Sequence, residues 1–211
     1  MTSPVPLHSG VFYHIYNRGN NREDVFVEER NYRYFLELYA KHIEPVAKTY
    51  AYGLLKNHFH LVVRTRDSDG ADPSSDPNSD PKGFSKPLGS ARDPSQAFSN
   101  FFNAYAKAIN KAYGRTGSLF QHPFGRIQVQ TQSYLMQLVR YVHFNPQKHG
   151  LVADFRQWPH TSYHTILSRG QTLLQREAVL GWFGGVDEFL AAHQMPPDER
   201  IMRPLSTDDF D

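Results

Sequence analysis

Lys56-Asn57-His58-Phe59-His60-Leu61-Val62-Val63 is the stretch of the sequence that says most about the fold. The β-branched Val62 and Val63 favour a strand. Because side chains alternate between the faces of a strand, His58 and His60 are predicted to share one face and Phe59 to lie on the other. Two adjacent imidazoles can bind a divalent metal ion. From this stretch alone, two half-buried histidines without a ligand are an equally good interpretation.

Signals for regular structure continue on both sides of this strand. Aromatic and β-branched runs predict strands at 11–16, 48–55, 58–65 and 124–130. Apolar residues at helical spacing predict helices at 28–44, 94–113 and 132–144. A turn is expected at residues 17–20, and Pro146 is expected to stop the third helix. The order predicts an α+β fold of the ferredoxin-like (split βαβ) type, an antiparallel sheet with the first two helices on one face.

The composition suggests one main domain with an appendage. We expect residues 1–155 to form that domain and residues 156–211 a helical C-terminal extension and polar tail, with Trp158 and Tyr163 as anchors. Residues 67–92 are rich in Asp, Ser, Pro and Gly and predict a flexible insertion. Residues 177–193 predict a helical unit within the extension.

Composition and charge limit the class of protein. The 211 residues include no cysteine, which excludes disulfides and thiolate metal sites and fits a cytoplasmic location. No membrane-spanning run, signal peptide or Gly-x-x-x-x-Gly-Lys loop is present, so neither a membrane partner nor a nucleotide cofactor is expected. The net charge is +2, but residues 67–81 contain aspartates and no Lys or Arg, which leaves the remaining chain more basic.

The third predicted helix carries a second candidate pair. Tyr141 and Asn145 are four residues apart and therefore neighbours on one face, at the edge of an apolar stripe. A tyrosine there can pack its ring and leave its hydroxyl available, and the asparagine can offer an amide oxygen to the same space. The helix alone is better explained by a packing tyrosine and by Asn145 as a C-terminal cap before Pro146.

Five stretches in this order resemble a known family of enzymes. Together they resemble the single-tyrosine HUH transposases of the insertion-sequence-200-like family, and most of all the branch of REP-associated tyrosine transposases. The resemblance covers about residues 10 to 165. The matching stretches are Tyr13-His14-Ile15-Tyr16-Asn17-Arg18-Gly19, Asn57-His58-Phe59-His60-Leu61, Gly117-Ser118-Leu119-Phe120-Gln121, Tyr141-Val142-His143-Phe144-Asn145-Pro146 and Trp158-Pro159-His160-Thr161-Ser162-Tyr163.

The resemblance implies a ferredoxin-like catalytic domain that cuts and joins single-stranded or hairpin DNA. Tyr141 matches the nucleophile, which forms a 5′-phosphotyrosine and releases a 3′-hydroxyl. His58, His60 and Asn145 match the ligands of a divalent metal, Mg²⁺ or Mn²⁺, with zinc as a competitor because imidazole suits it. Lys56 stands where the family usually has proline. The family includes monomers and homodimers.

Two other functions remain open, and DNA contacts are expected near the site. The alternatives are a non-catalytic DNA-binding regulator and a metal hydrolase in which Tyr141 only packs. Single strands offer phosphates and open base faces, so cations and aromatic rings should combine. His14 and His143 are expected to be structural, although His14 has a minor chance of approaching the site. The candidate cations are Arg18, Arg22, Lys107, Lys111, Arg115, Arg126, Arg140 and Lys148, and the candidate stacking rings are Tyr16, Tyr105 and Tyr113.

Overall fold

The computed structural model describes residues 6–67, 93–198 and 200, so the predicted insertion and tail lie almost entirely outside the described residues. Within that part, four strands form one antiparallel sheet in the order β2-β3-β1-β4. The strands are β1 Phe12–Arg18, β2 Ala47–Leu54, β3 His58–Thr65 and β4 Gly125–Gln128. The helices are α1 Glu29–Ile43, α2 Pro94–Ala112, α3 Gln132–Lys148, α4 Tyr163–Leu167, α5 Arg176–Phe183 and α6 Val186–Ala192. The predicted α+β, ferredoxin-like arrangement is confirmed.

The sheet separates two apolar cores. Phe59 and Leu61 of β3 face α1 and α2 and pack in the same cluster as Phe35 and Phe101. Val62 belongs to the second cluster, on the α3 side. The alternation predicted for β3 is therefore present, and it turns His58 and His60 toward α3. As predicted, α1 and α2 share one face, and α3 covers the other.

The first strand is longer than predicted. Pairing with β3 continues to Arg18, which lies opposite His58, so the turn expected at residue 17 begins only at Asn20. Asn17 has a local turn propensity, but its side-chain oxygen accepts a hydrogen bond from the Arg18 N–H at 2.8 Å inside the strand. The prediction was wrong because partners in β3 override local propensity. The extra residues carry Arg18 to the histidine end of the sheet.

The third helix is also longer than predicted, because Pro146 lies inside it and does not end it. Proline has no N–H to donate to the carbonyl of Val142, four residues earlier. That carbonyl faces β2 at Gly53, where an added Cβ would lie 2.7 Å from the oxygen. The helix ends instead near Gly150, at φ +68°. Asn145 is therefore a residue of the helix interior, and the C-cap interpretation is excluded.

The C-terminal helices pack against α3, and α5 also contacts the sheet, where Trp182 stacks on Tyr50 of β2. Phe155, Tyr163 and Phe189 form an aromatic cluster with buried His143. Trp158 donates its indole N–H to the carbonyl of Leu54 at 2.8 Å. The helical unit predicted at 177–193 is two helices, since Gly184 and Gly185 break it at φ +98° and +135°. No helix among the described residues is long and apolar enough to cross a membrane.

Candidate active site

His58 begins β3 and is oriented by its neighbour in the tight β2–β3 connection. Its Nδ1 lies 2.7 Å from Oδ1 of Asn57. The Asn57 amide nitrogen donates to the carbonyl of Arg22 at 3.4 Å, which fixes the direction of the amide. His58 Nδ1 must therefore be the donor, and a neutral His58 carries its lone pair on Nε2. That Nε2 is 3.4 Å from Oδ1 of Asn145 on α3.

His60 lies two residues along the same strand, between His14 and the nucleophile candidate. Its Nδ1 is 2.9 Å from Nε2 of His14 on β1, and the two rings stack with centroids 5.0 Å apart. The ring of Tyr141 meets that of His60 edge-on at a centroid distance of 5.5 Å. The rings of His58 and His60 are 5.2 Å apart. The structure thus brings together all four residues that the sequence singled out as catalytic or metal-binding.

Burial keeps these imidazoles neutral. It lowers the pKa of His58 to about 3, with nearby His149 adding to the effect. Burial likewise lowers the pKa of His14 to about 3 and that of His60 well below its ordinary value. At neutral pH each ring therefore has one bare nitrogen, which is the form of histidine that binds a metal.

The donor atoms fit a divalent cation. His58 Nε2 and Asn145 Oδ1 turn lone pairs toward each other, an arrangement that a cation between them would stabilise. In the structure the amide oxygen of Asn145 faces His58, and its Nδ2 is buried without a hydrogen-bond partner among the described residues. The opposite amide orientation would instead let Nδ2 donate to His58. Nowhere in this part of the chain do three His, Cys, Asp or Glu side chains cluster for a metal. The amide oxygen of Asn145 lies next to His58 and is a further donor atom that a cation could use.

Two of the candidate cations reach this site. Arg18, only 5% exposed, follows β1 to the position opposite His58, and its charge contributes to the lowered pKa of that histidine. Lys148 lies on the last turn of α3, with its Nζ 5.6 Å from the centre of the Tyr141 ring. A phosphate next to Tyr141 would therefore lie close to two positive charges.

The other candidate cations are distributed differently. Arg115 forms an ion pair with Glu23. Arg126 lies 3.8 Å above the Phe124 ring on the α2 side of the sheet. Arg140 donates to the carbonyls of Met195 and Pro196, which ties down the C-terminal segment. Fewer of the candidate cations lie at the site than the sequence predicted. These three side chains make structural contacts instead.

Three further cations lie away from the sheet face that carries His58 and His60, or at the margin of that face. Lys107 and Lys111 are exposed on α2, which covers the opposite face. Arg22 lies in the loop after β1, at φ +61°, and its carbonyl receives the Asn57 amide. Of these, Arg22 is nearest to the His58 end of the sheet.

The aromatic candidates also differ from one another. Tyr105 is fully buried and donates its hydroxyl to the carbonyl of Val25, so the prediction that it stacks on a base was wrong. Tyr113 bonds Glu28 through its hydroxyl. Tyr16 stacks on His14 at 4.9 Å and lies over Gly125, on the same face as the imidazoles.

Sequence reasoning undervalued two histidines. His14 contacts His60 directly, and the ring of His149 is 4.8 Å from that of His58. Strand alternation was the available signal for His14, since it precedes Tyr16 by two residues on β1. His149 follows Asn145 by four residues on α3 and therefore shares its side of the helix.

Comparison with known proteins supports the fold. A solved structure of a REP-associated tyrosine transposase bound to a REP hairpin superposes with a TM-score of 0.57, at 17% identity, over 82% of this chain and 89% of that one. At this identity the likeness is one of fold. No protein-family model matches the sequence. No curated protein matches it either.

Proposed function

We propose that this protein is a metal-dependent enzyme that cuts and rejoins single-stranded DNA next to a hairpin. The observation that carries the proposal is the meeting of the Tyr141 ring with two neutral imidazoles and the Asn145 amide on one face of the sheet. A structure of the same fold holds a REP hairpin, which supports DNA as the substrate class.

Tyr141 acts as the nucleophile in this proposal. Its phenolate oxygen attacks a backbone phosphorus, a bond from phosphorus to the tyrosine oxygen forms, and the bond to the 3′ oxygen breaks. The departing strand takes up a proton and leaves as a free 3′-hydroxyl. A 3′-hydroxyl reverses the reaction and joins strands, so that no external energy source is required.

The remaining residues prepare the phosphate. His58, His60 and Asn145 would hold Mg²⁺ or Mn²⁺, which supplies Lewis-acid stabilisation of charge on the scissile phosphate. Arg18 and Lys148 bind phosphate oxygens close to the Tyr141 ring, and the burial of Arg18 limits its freedom to swing away. Tyr16 offers a ring for a base to stack on.

Transfer of DNA to a single tyrosine tests the proposal. A hairpin oligonucleotide with single-stranded flanks is incubated with the protein and Mn²⁺, labelled at either its 5′ or its 3′ end, and resolved on a denaturing protein gel. We expect the 3′ label to move with the protein and the 5′ label to appear on a shorter, free fragment. Tyr141→Phe should lose the adduct, a decrease of at least about 1,000-fold.

Tyr34→Phe is the matched control, on α1 and therefore on the other face of the sheet. Its side chain is exposed, so the loss of its hydroxyl should leave the adduct unchanged. Cleavage that survives Tyr141→Phe would contradict the proposal and favour a metal hydrolase. Tight hairpin binding without any adduct would favour a non-catalytic DNA-binding regulator.

A further inference from the structure

Both candidate metal-binding imidazoles are held from behind by a side chain outside the ligand set. Asn57 contacts Nδ1 of His58 at 2.7 Å, and His14 contacts Nδ1 of His60 at 2.9 Å. Each contact engages the ring nitrogen that does not face the site. A hydrogen bond at Nδ1 fixes the rotation of an imidazole, and where Nδ1 is the donor it leaves Nε2 bare.

Asn57 fixes the tautomer of His58. The Asn57 amide spans from the carbonyl of Arg22 on one side to His58 on the other, so its oxygen must face the ring. Since that oxygen can only accept, His58 Nδ1 carries the proton. The resulting bare Nε2 points toward Asn145.

His14 and His60 share one proton in the hydrogen bond between their rings. One hydrogen lies between His14 Nε2 and His60 Nδ1, and both rings are buried and neutral. When His60 donates, its Nε2 is bare and the proton of His14 lies on Nδ1, an atom buried without a hydrogen-bond partner among the described residues. The rings of Tyr16 and His60 both pack against the ring of His14, which limits its rotation.

We infer that Asn57 and His14 are positioning residues that direct Nε2 of His58 and His60 toward one cation. The inference rests on the proposed function, since it supplies the orientation that the metal site requires. It assigns different parts to the two residues: Asn57 sets a fixed tautomer, whereas His14 follows whichever tautomer the ligand at His60 selects.

Direct metal titration tests this without activity. Mn²⁺ binding is measured from the free-ion electron paramagnetic resonance signal for the wild type, Asn57→Ala and His14→Phe. The phenylalanine keeps the stack with His60 and loses the nitrogen. We expect either change to weaken Mn²⁺ binding about 10- to 100-fold while the melting temperature and hairpin affinity remain close to wild type. Asn57→Asp retains the accepting oxygen and should restore binding.

The tautomers are read independently in the metal-free protein by ¹⁵N nuclear magnetic resonance of the histidine rings. We expect the wild-type His58 to be protonated on Nδ1 and to lose that preference in Asn57→Ala. His160→Phe, which alters an imidazole stacked on Tyr32 away from the site, is the control for both measurements and should change neither.

The outcomes separate this inference from the proposed function. Unchanged Mn²⁺ affinity in both variants, or a wild-type His58 protonated on Nε2, would overturn the inference even if the tyrosine adduct forms. Tighter binding in the wild type than in the variants would support it even if no adduct is seen. A wild type that binds no Mn²⁺ would overturn both.

Discussion

The protonation state of the individual histidines determines what the candidate site can bind. Burial, rather than pairing with a charged residue, sets that state. With pKa values of about 3 for His14 and His58, these rings remain neutral at any ordinary pH. Ligands without negative charge would leave the full charge of a divalent ion to act on a phosphate. The charges of Arg18 and Lys148 would then act on that phosphate without neutralising a ligand.

Replacement of a single imidazole should separate catalysis from DNA binding. We expect His58→Ala to abolish the tyrosine adduct and to leave hairpin affinity within a few-fold of wild type, because the phosphate-binding cations remain. Gel-shift titration and the adduct assay, performed on the same preparation, measure the two effects. Parallel loss of both would indicate that His58 mainly maintains the fold.

The sequence predicted which side chains lie next to each other where local geometry alone decides this. Strand alternation placed His58 and His60 on one face, and the four-residue spacing placed Tyr141 beside Asn145. The contact between His14 and His60 could not be derived in this way. It depends on the register of β1 against β3, which is determined by pairing between distant segments.

At the level of elements, the close approach of α3 to β2 supports the site. Pro146 removes one hydrogen bond from α3, and the freed Val142 carbonyl lies against Gly53. A side chain at residue 53 would push the helix, and with it Tyr141, away from the sheet. The sequence predicted each element but ended α3 too early, because the packing of α3 against β2 joins segments that are distant in the sequence.

Gly53→Ala should therefore destabilise the protein. Its Cβ would lie 2.7 Å from the backbone oxygen of Val142, an atom that cannot rotate away. We expect a loss of about 1–3 kcal/mol in the free energy of unfolding, measured by urea denaturation. Gly181→Ala is the control, because nothing lies within 4 Å of its added Cβ in α5. It should stabilise by up to about 1 kcal/mol. Equal effects of the two changes would contradict the packing argument.

At the scale of the whole molecule, the sheet separates the larger apolar core from the candidate site. The larger aromatic core lies between the sheet and α1 and α2, while the candidate site lies between the sheet and α3. A buried hydrogen-bonded chain joins the C-terminal helices to α3. His143 connects Ser162, at 2.8 Å, with His193, at 2.9 Å, and His193 in turn donates to the carbonyl of Phe189. The extension thereby fixes the helix that carries Tyr141.

This chain makes the attachment of the C-terminal helices sensitive to acid. Burial lowers the pKa of His193 to about 4, and the charges of Arg140 and Arg156 contribute. Between its ordinary value of 6.5 and about 4, the unfolded chain binds a proton that the folded protein does not. Stability from this residue is therefore complete above pH 6.5 and is lost as the pH falls, by about 1.4 kcal/mol per pH unit.

His193→Gln should remove that part of the pH dependence, because glutamine does not titrate and its amide oxygen can still accept from His143. Urea denaturation at pH 7, 6, 5 and 4.5 measures the free energy of unfolding of both proteins. From pH 7 to pH 4.5, we expect the wild type to lose about 2 kcal/mol more than the variant. His14 and His58 titrate in the same direction in both proteins, and burial, the main cause of the lowered pKa of His143, is the same in both, so the difference reports chiefly on His193. Parallel curves would show that His193 takes up its proton in the folded state at its ordinary pKa, and that the chain from Ser162 to Phe189 does not hold it neutral.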